Sequence, residues 1–286
     1  MNVSPYEIPG RVRVEESAGG WPLLRIGAEA AEAELHLHGA QVTGYRRRGE
    51  EPLLFLSGRA EFAEGKAIRG GVPIVFPWFG GREGLPAHGT ARTARWELEE
   101  TAELDDGSVL AALRLPDAGD LSVTYRVTVG RTLRMELSVL NTGAAPATFE
   151  SCLHTYFAVG DIRRTALRGL RGAEFIDSPT GARHVDGEEE IRVSAETDRL
   201  YQGTTAACEI DDEANGRVIT VAKSGSRSTV VWNPWVEKSR RMADFGDDEY
   251  LRMLCVESGN VADDAVTLAP DECAVLAVEL VTRARD

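Results

Sequence analysis

The sequence predicts an all-β protein, a large antiparallel β-sandwich with few short helices. Three observations predict it. Apolar and polar residues alternate with period two along much of the 286-residue chain, turn-forming Gly, Pro, Asn and Asp recur at short intervals, and helical stripes of apolar residues are scarce. Half-buried strands of this kind pair into sheets and cover their apolar faces with a second sheet. No internal repeat, low-complexity stretch or linker divides the chain, so residues 1–286 read as a single domain.

The clearest strand carries Leu121, Val123, Tyr125, Val127 and Val129 interleaved with Ser122, Thr124, Arg126 and Thr128. Leu133, Met135, Leu137 and Val139 then alternate with Arg134, Glu136 and Ser138, so the two runs form a hairpin around Gly130. Similar signals predict strands near 11–15, 35–43, 94–100, 109–115, 217–222, 228–232, 251–257 and 272–282.

Apolar residues make up 43% and charged residues 27%, an ordinary balance for a globular protein that can bury its core without disulfides or a metal. No run of 18 apolar residues exists, and the opening MNVSPYEIPG has neither a basic region nor an apolar stretch of signal-peptide type, so a cytoplasmic protein with no membrane association is expected. The sequon Asn2-Val-Ser4 accordingly carries little weight. A formal charge of −14 argues against nucleic-acid partners, while a few arginines in one cleft can still attract a small anion. Lysine occurs only at 66, 223 and 238, and the excess of arginine reads chiefly as codon bias. Cys152, Cys208, Cys255 and Cys273 lack CxxC spacing and, lying mostly in apolar runs, are expected as reduced, buried thiols.

Three segments are too rich in Gly, Pro, Trp and charge for routine strands. In residues 66–80, Arg69 precedes Gly70 and Gly71, and Pro73 and Pro77 bracket an apolar run; the loop either presents Arg69 to a ligand or buries it against a carboxylate. In residues 86–92, His88 and Arg92 share a Gly-containing loop, suited to hydroxyl and phosphate oxygens or simply solvated. Residues 232–250 begin Trp-Asn-Pro-Trp, two indoles that line a pocket or pack beneath one. His154 and Glu257 each sit in an apolar run where an ionisable group is costly unless paired or used. They make an acid and a base, and nothing in their spacing shows that they meet.

These segments resemble the glucose-6-phosphate 1-epimerases, or hexose-6-phosphate mutarotases, of the aldose 1-epimerase superfamily. The likeness runs from His38-Gly-Ala-Gln-Val42 through residues 65–80, His88-Gly-Thr-Ala-Arg92, Leu153-His-Thr-Tyr-Phe157, Glu196-Thr-Asp-Arg-Leu-Tyr201 and residues 231–238 to Val256-Glu-Ser-Gly-Asn260, all in the family's order. Thr90 and Ser258 depart from it, standing where a bulky apolar residue and Pro are common. The resemblance implies a galactose mutarotase-like supersandwich with a sugar cleft on one sheet. It makes His154 the general acid and Glu257 the general base, with Arg69, His88, Arg92 and Asp198 holding a hexose 6-phosphate. Trp235 is a candidate to stack on the ring and Lys238 a weaker one for the phosphate rim. The implied reaction is interconversion of α and β anomers by ring opening and closure, needing no metal, nicotinamide or other cofactor, and a monomer suffices for it.

Two other readings are distinct from this one. A non-catalytic sugar-phosphate-binding sandwich would keep the cleft without turnover. A metal-dependent cupin is suggested by His36-Leu-His38, but Val42 and Thr43 stand where its Glu belongs. Asp244-Phe-Gly246 has no kinase context, and Asp247-Asp-Glu249 reads as a solvated loop.

Overall fold

The computed structural model describes residues 4–285, so Asn2 and Val3 of the sequon lie outside the described residues. Two eight-stranded antiparallel sheets form the body. The first runs, in spatial order, through Thr165–Arg168, Cys208–Asp212, Arg217–Ser224, Cys273–Ala284, Leu133–Asn141, Leu121–Val129, Val109–Leu115 and Glu97–Glu103. The second runs through Ala182–Val185, Glu174–Asp177, Thr197–Tyr201, Ser228–Asn233, Met253–Asn260, Ser151–Leu153 and Ile74–Val75, with Tyr156–Ala158 also paired to Met253–Asn260. A four-stranded sheet of Val12–Glu16, Pro22–Gly27, Ala31–His36 and Gln41–Arg47 and a two-stranded pair, Ala147–Phe149 with Val266–Leu268, complete the strands. The only α-helix among the described residues is Trp235–Arg241, and no helix among them is long and apolar enough to cross a membrane.

Alternation explains the layering. Tyr125, Val127, Met135 and Leu137 from the first sheet and Leu153, Val231, Leu254 and Val256 from the second belong to one apolar cluster between the sheets, which the four-stranded sheet joins through Leu24, Ile26, Leu35 and Val42. The hairpin expected at Gly130 is present, in register from Leu121 opposite Asn141 to Val129 opposite Leu133. The strand expected over 35–43 is instead two strands joined by a turn, with Gly39 and Ala40 at φ of 70° and 45°. A Cβ on Gly39 would lie 2.5 Å from the Arg92 carbonyl oxygen, so this turn also seats the segment carrying Arg92. Cys152, Cys208 and Cys255 are free and buried; Cys273, at the start of its strand, is free but exposed, against expectation.

One buried cation locks the two large sheets together. Arg217 of the first sheet donates to Asp212 (3.1 Å), to the carbonyls of Glu51 and Pro52 (both 2.9 Å), and to the carbonyl of Ala158 on the second sheet (2.7 Å). Arg217 and Asp212 are both buried, so removing the guanidinium strands a buried carboxylate and leaves three carbonyls without their donor. Arg217→Ala is expected to lower unfolding free energy by about 3–5 kcal/mol in urea titrations; a loss below about 1 kcal/mol would show that the network is no more than a surface ion pair.

Candidate active site

A second, smaller apolar cluster lies on the other face of the second sheet. It includes Cys152, Tyr156, Leu200, Val230, Trp232, Met253 and Cys255, capped by Phe55 and Phe245. The division follows strand parity: on Met253–Asn260, Leu254 and Val256 enter the sandwich core, while Met253, Cys255 and Glu257 point the opposite way. Glu257 is thus delivered to the floor of this second face.

Register delivers His154 to the same place. Cys152 pairs with Gly259 and Leu153 with Ser258, so the next position faces Glu257. The His154 amide extends the pairing with the Ile74–Val75 strand by donating to the Pro73 carbonyl (3.0 Å), and its imidazole Nε2 lies 3.2 Å from Glu257 Oε1. The His154 side chain is 11% exposed and that of Glu257 1%. The other carboxylate oxygen accepts only a long contact, 3.6 Å, from the Cys152 thiol.

That environment sets the protonation of both groups. Burial, and then the charge of Asp198, hold the Glu257 carboxyl well above the ordinary carboxylate range. Burial, reinforced by His88, Arg92 and Arg69, holds His154 well below the ordinary histidine range. The two directions agree in disfavouring a separated ion pair, so the contact is a hydrogen bond sharing one proton. His154 Nδ1 is buried without a partner, and the ring is held by its faces instead. Tyr156 stacks on it at 4.8 Å and 12°, and Trp232 meets it edge-on at 6.2 Å and 76°.

Around this floor stand cations and further polar groups. Arg69 donates to the Tyr156 hydroxyl (3.0 Å) and to Asp244 Oδ2 through Nε (3.1 Å), with Nη2 3.0 Å from the same oxygen. Arg92 donates to the Ala87 carbonyl (2.7 Å) and, among the described residues, has no carboxylate partner. His88 packs edge-on against His154 at 5.9 Å; burial, with Arg92 and Arg69, depresses its pKa to about 4, so it is neutral at physiological pH. Its Nδ1 accepts from the Gly80 amide at 3.3 Å, leaving Nε2–H free to donate. A Cβ at the neighbouring Gly89, where φ is 73°, would lie 2.0 Å from the Phe76 carbonyl oxygen, so glycine is required for this loop to close down on the site. Asp198 sits directly across the ladder from Trp232, its carboxyl raised by burial and its Oδ2 3.7 Å from Lys238 Nζ.

His154, Glu257, Arg69, His88, Arg92 and Asp198 therefore converge. Trp235 does not join them: it opens the helix at φ 54° and packs against Tyr250 at 5.1 Å and against the main core. The indole at the imidazole is Trp232, with Lys238 Nζ 5.8 Å over its ring. The turn between the two indoles is pinned by the buried Asn233, which donates to the carbonyls of Tyr250 and Met253 and accepts from the Trp235 amide, each at 2.9 Å. Tyr156 and Asp244 also escaped the sequence reading as site residues, although both lie in segments it singled out. Asp247-Asp-Glu249 is not simply a solvated loop. Glu249 accepts from the Ser57 hydroxyl (2.6 Å) and from the Gly58 and Gly246 amides (both 2.7 Å), tying the loop down.

As for metal ligands, His38 stacks on Trp21 at 4.0 Å and His36 lies against Phe62, and neither joins a cluster of three ligating side chains among the described residues. His154, Cys255 and Glu257 do form such a cluster, with one donor atom each within 4.8 Å of one another.

A sandwich with an imidazole and a carboxylate in contact on a buried floor beneath arginines suits a sugar epimerase, and the chain belongs to the aldose 1-epimerase family, whose model matches residues 22–279. It is an isomerase of the mutarotase type, acting on sugar anomers. Among its relatives, a Cenchrus ciliaris protein named "Putative glucose-6-phosphate 1-epimerase" is 34% identical, the match covering 91% of this chain and 84% of that protein. The crystal structure of YeaD from Salmonella typhimurium, described as a "putative mutarotase", superposes with a TM-score of 0.90 at 30% identity, covering 98% of this chain and 96% of that one. A galactose mutarotase-like protein from Clostridium acetobutylicum shares the fold, with a TM-score of 0.72 at 13% identity over 96% of this chain and 98% of that one.

The raised pKa of Glu257 makes a stability prediction. The native state keeps a proton that the unfolded chain releases above about 4.5, so the wild type loses stability relative to Glu257→Gln as pH rises from there, until the native pKa is passed. Thermal unfolding of the two proteins should show nearly equal midpoints at pH 4 and a widening gap in favour of the variant toward pH 8, on the order of 1 kcal/mol or more. A gap that stays constant or reverses would contradict the assigned direction.

Proposed function

We propose that this chain interconverts the α and β anomers of a hexose 6-phosphate, with glucose 6-phosphate the leading substrate, using Glu257 as base and His154 as acid. The supporting observation is the 3.2 Å contact between an imidazole and a carboxylate on one buried floor. In the opening step Glu257 takes the proton from the C1 hydroxyl as O1 becomes the aldehyde oxygen. The C1–O5 bond breaks, and His154 gives its proton to O5. Rotation about C1–C2 presents the other aldehyde face, O5 attacks it, and both protons return.

Proton bookkeeping makes this arrangement economical. Opening moves one proton onto Glu257 and one off His154, so the pair carries the same single proton before and after. No proton has to enter or leave through solvent, and the two halves of the reaction use the same groups in opposite roles.

Arg69 and Arg92 are assigned to the phosphate, and Arg92 is the freer of the two because no carboxylate among the described residues holds it. Asp198 and neutral His88 are assigned to sugar hydroxyls, and Trp232 to the apolar face of the ring. The names of the relatives favour the 6-phosphate over a free sugar.

Anomer exchange measured by magnetisation-transfer NMR tests the assignment. Wild type should accelerate exchange of glucose 6-phosphate more than of glucose, and His154→Ala and Glu257→Gln should each lose about 10²–10⁴ in rate. Arg92→Ala should cut the phosphorylated sugar by about 10-fold or more while sparing glucose. Binding of the sugar phosphate with no accelerated exchange in wild type would leave only a sugar-binding sandwich.

A further inference from the structure

Cys255 lies on the catalytic floor, yet proton transfer gives it nothing to do. It shares a strand face with Glu257 two residues on, pairs across the ladder with Tyr156 on one side and Trp232 on the other, and is fully buried. Its thiol, the Glu257 carboxylate and the His154 imidazole offer three donor atoms within 4.8 Å of one another. We propose that His154, Cys255 and Glu257 form a site for a thiophilic divalent cation of the zinc class, and that a metal seated there shuts the enzyme off.

Three features carry the proposal. The first is geometric: two ligands of a tetrahedral ion bound at about 2.0–2.2 Å stand a little over 3 Å apart, and Nε2 and Oε1 are already separated by 3.2 Å. Cys255 Sγ needs only a short approach to complete three sites. The second is the donor set, one nitrogen, one sulfur and one oxygen from three protein groups, which suits zinc or cadmium and not magnesium or calcium.

The third is charge. A dication with one thiolate, one carboxylate and one neutral imidazole makes a neutral assembly, the form a buried floor tolerates best. Binding releases two protons to solvent, one from the Cys255 thiol and the one shared by His154 and Glu257, so affinity must rise with pH. All three ligands come from the protein floor, and the fourth position therefore faces the sugar side. Because the metal takes both proton-transfer groups, it and turnover exclude each other.

The test is titration of the purified full-length protein with cadmium chloride, reading the thiolate-to-cadmium absorption band in the ultraviolet. Wild type and Cys273→Ala, which removes the exposed thiol, should give the band with one equivalent bound. Cys255→Ala, checked for folding by circular dichroism, should lose it, with binding weakened at least about 100-fold. In parallel, zinc chloride should suppress anomer exchange by wild type and leave exchange by Cys255→Ala unaffected. A band that survives in Cys255→Ala, or equal zinc inhibition of the two proteins, overturns the site. Should Cys255→Ala fail to fold, Cys255→Ser replaces it, and glucose 6-phosphate added to the wild-type cadmium complex gives a second reading: loss of the band supports the site, persistence in excess sugar phosphate counts against it. Since the band does not depend on turnover, a protein that binds cadmium through Cys255 but never accelerates exchange would sink the proposed reaction and leave the metal site standing.

Discussion

The contact between His154 and Glu257 is the constraint on which the rest of the molecule depends. Two ionisable side chains have been taken almost wholly out of water, and neither has the hydrogen bonds that would normally compensate. Glu257 has the imidazole and a distant thiol; His154 has one ring nitrogen with no partner among the described residues. Such an arrangement costs free energy in the folded state, and it persists only because a large surrounding structure over-determines it. What that cost secures is one proton held between the two groups, on a carboxyl that keeps it and beside an imidazole that releases it readily.

The sandwich supplies the over-determination by being apolar on both faces of one sheet. The strand Met253–Asn260 is buried along its whole length, with Leu254 and Val256 in the main core, Met253 and Cys255 in the second cluster, and Glu257 on the same face as those two. Arg217 fixes the spacing of the two sheets from outside the site, through Ala158 at the end of the short strand that begins with Tyr156. Tyr156 in turn stacks on His154 and accepts from Arg69. Arg69, proposed to hold the anionic end of a ligand, is therefore one hydrogen bond and one ring contact away from the proposed acid.

Much of this was legible where the two sides of a strand differ. The strands 109–115 and 121–129 stand where alternation places them, because one side meets the core and the other is half-exposed. Alternation fails at both extremes of burial. Ala182–Val185 is exposed throughout and Ser151–Leu153 buried throughout, and neither shows a period of two. The indoles show the same difficulty at a single residue. Trp232 and Trp235 flank one Asn-Pro turn, and which of them faces the His154 ring depends on where the strand ends and the helix begins. The strand runs to Asn233, so Trp232 keeps the parity of Val230 and Cys255's neighbours, while Trp235 turns away. The convergence of His154 and Glu257 depends on register between chain segments about a hundred residues apart, which no local pattern contains.

The arginines bear on the acid as well as on affinity. Arg69 and Arg92 are among the charges that depress His154, and a depressed imidazole is a poor holder of the proton that the proposed reaction asks it to donate. A dianionic phosphate bound between those guanidiniums would cancel the field they cast on the ring and raise its basicity at the moment the sugar arrives. The shared proton would then move from Glu257 toward His154, leaving a carboxylate ready to accept from O1 and an imidazolium ready to donate to O5. A free hexose in the same place would leave both arginines uncompensated and the proton on the carboxyl, the wrong partner for ring opening. On this view the phosphate selects the reactive tautomer of the pair, and discrimination between phosphorylated and free sugars belongs to the chemical step as much as to binding.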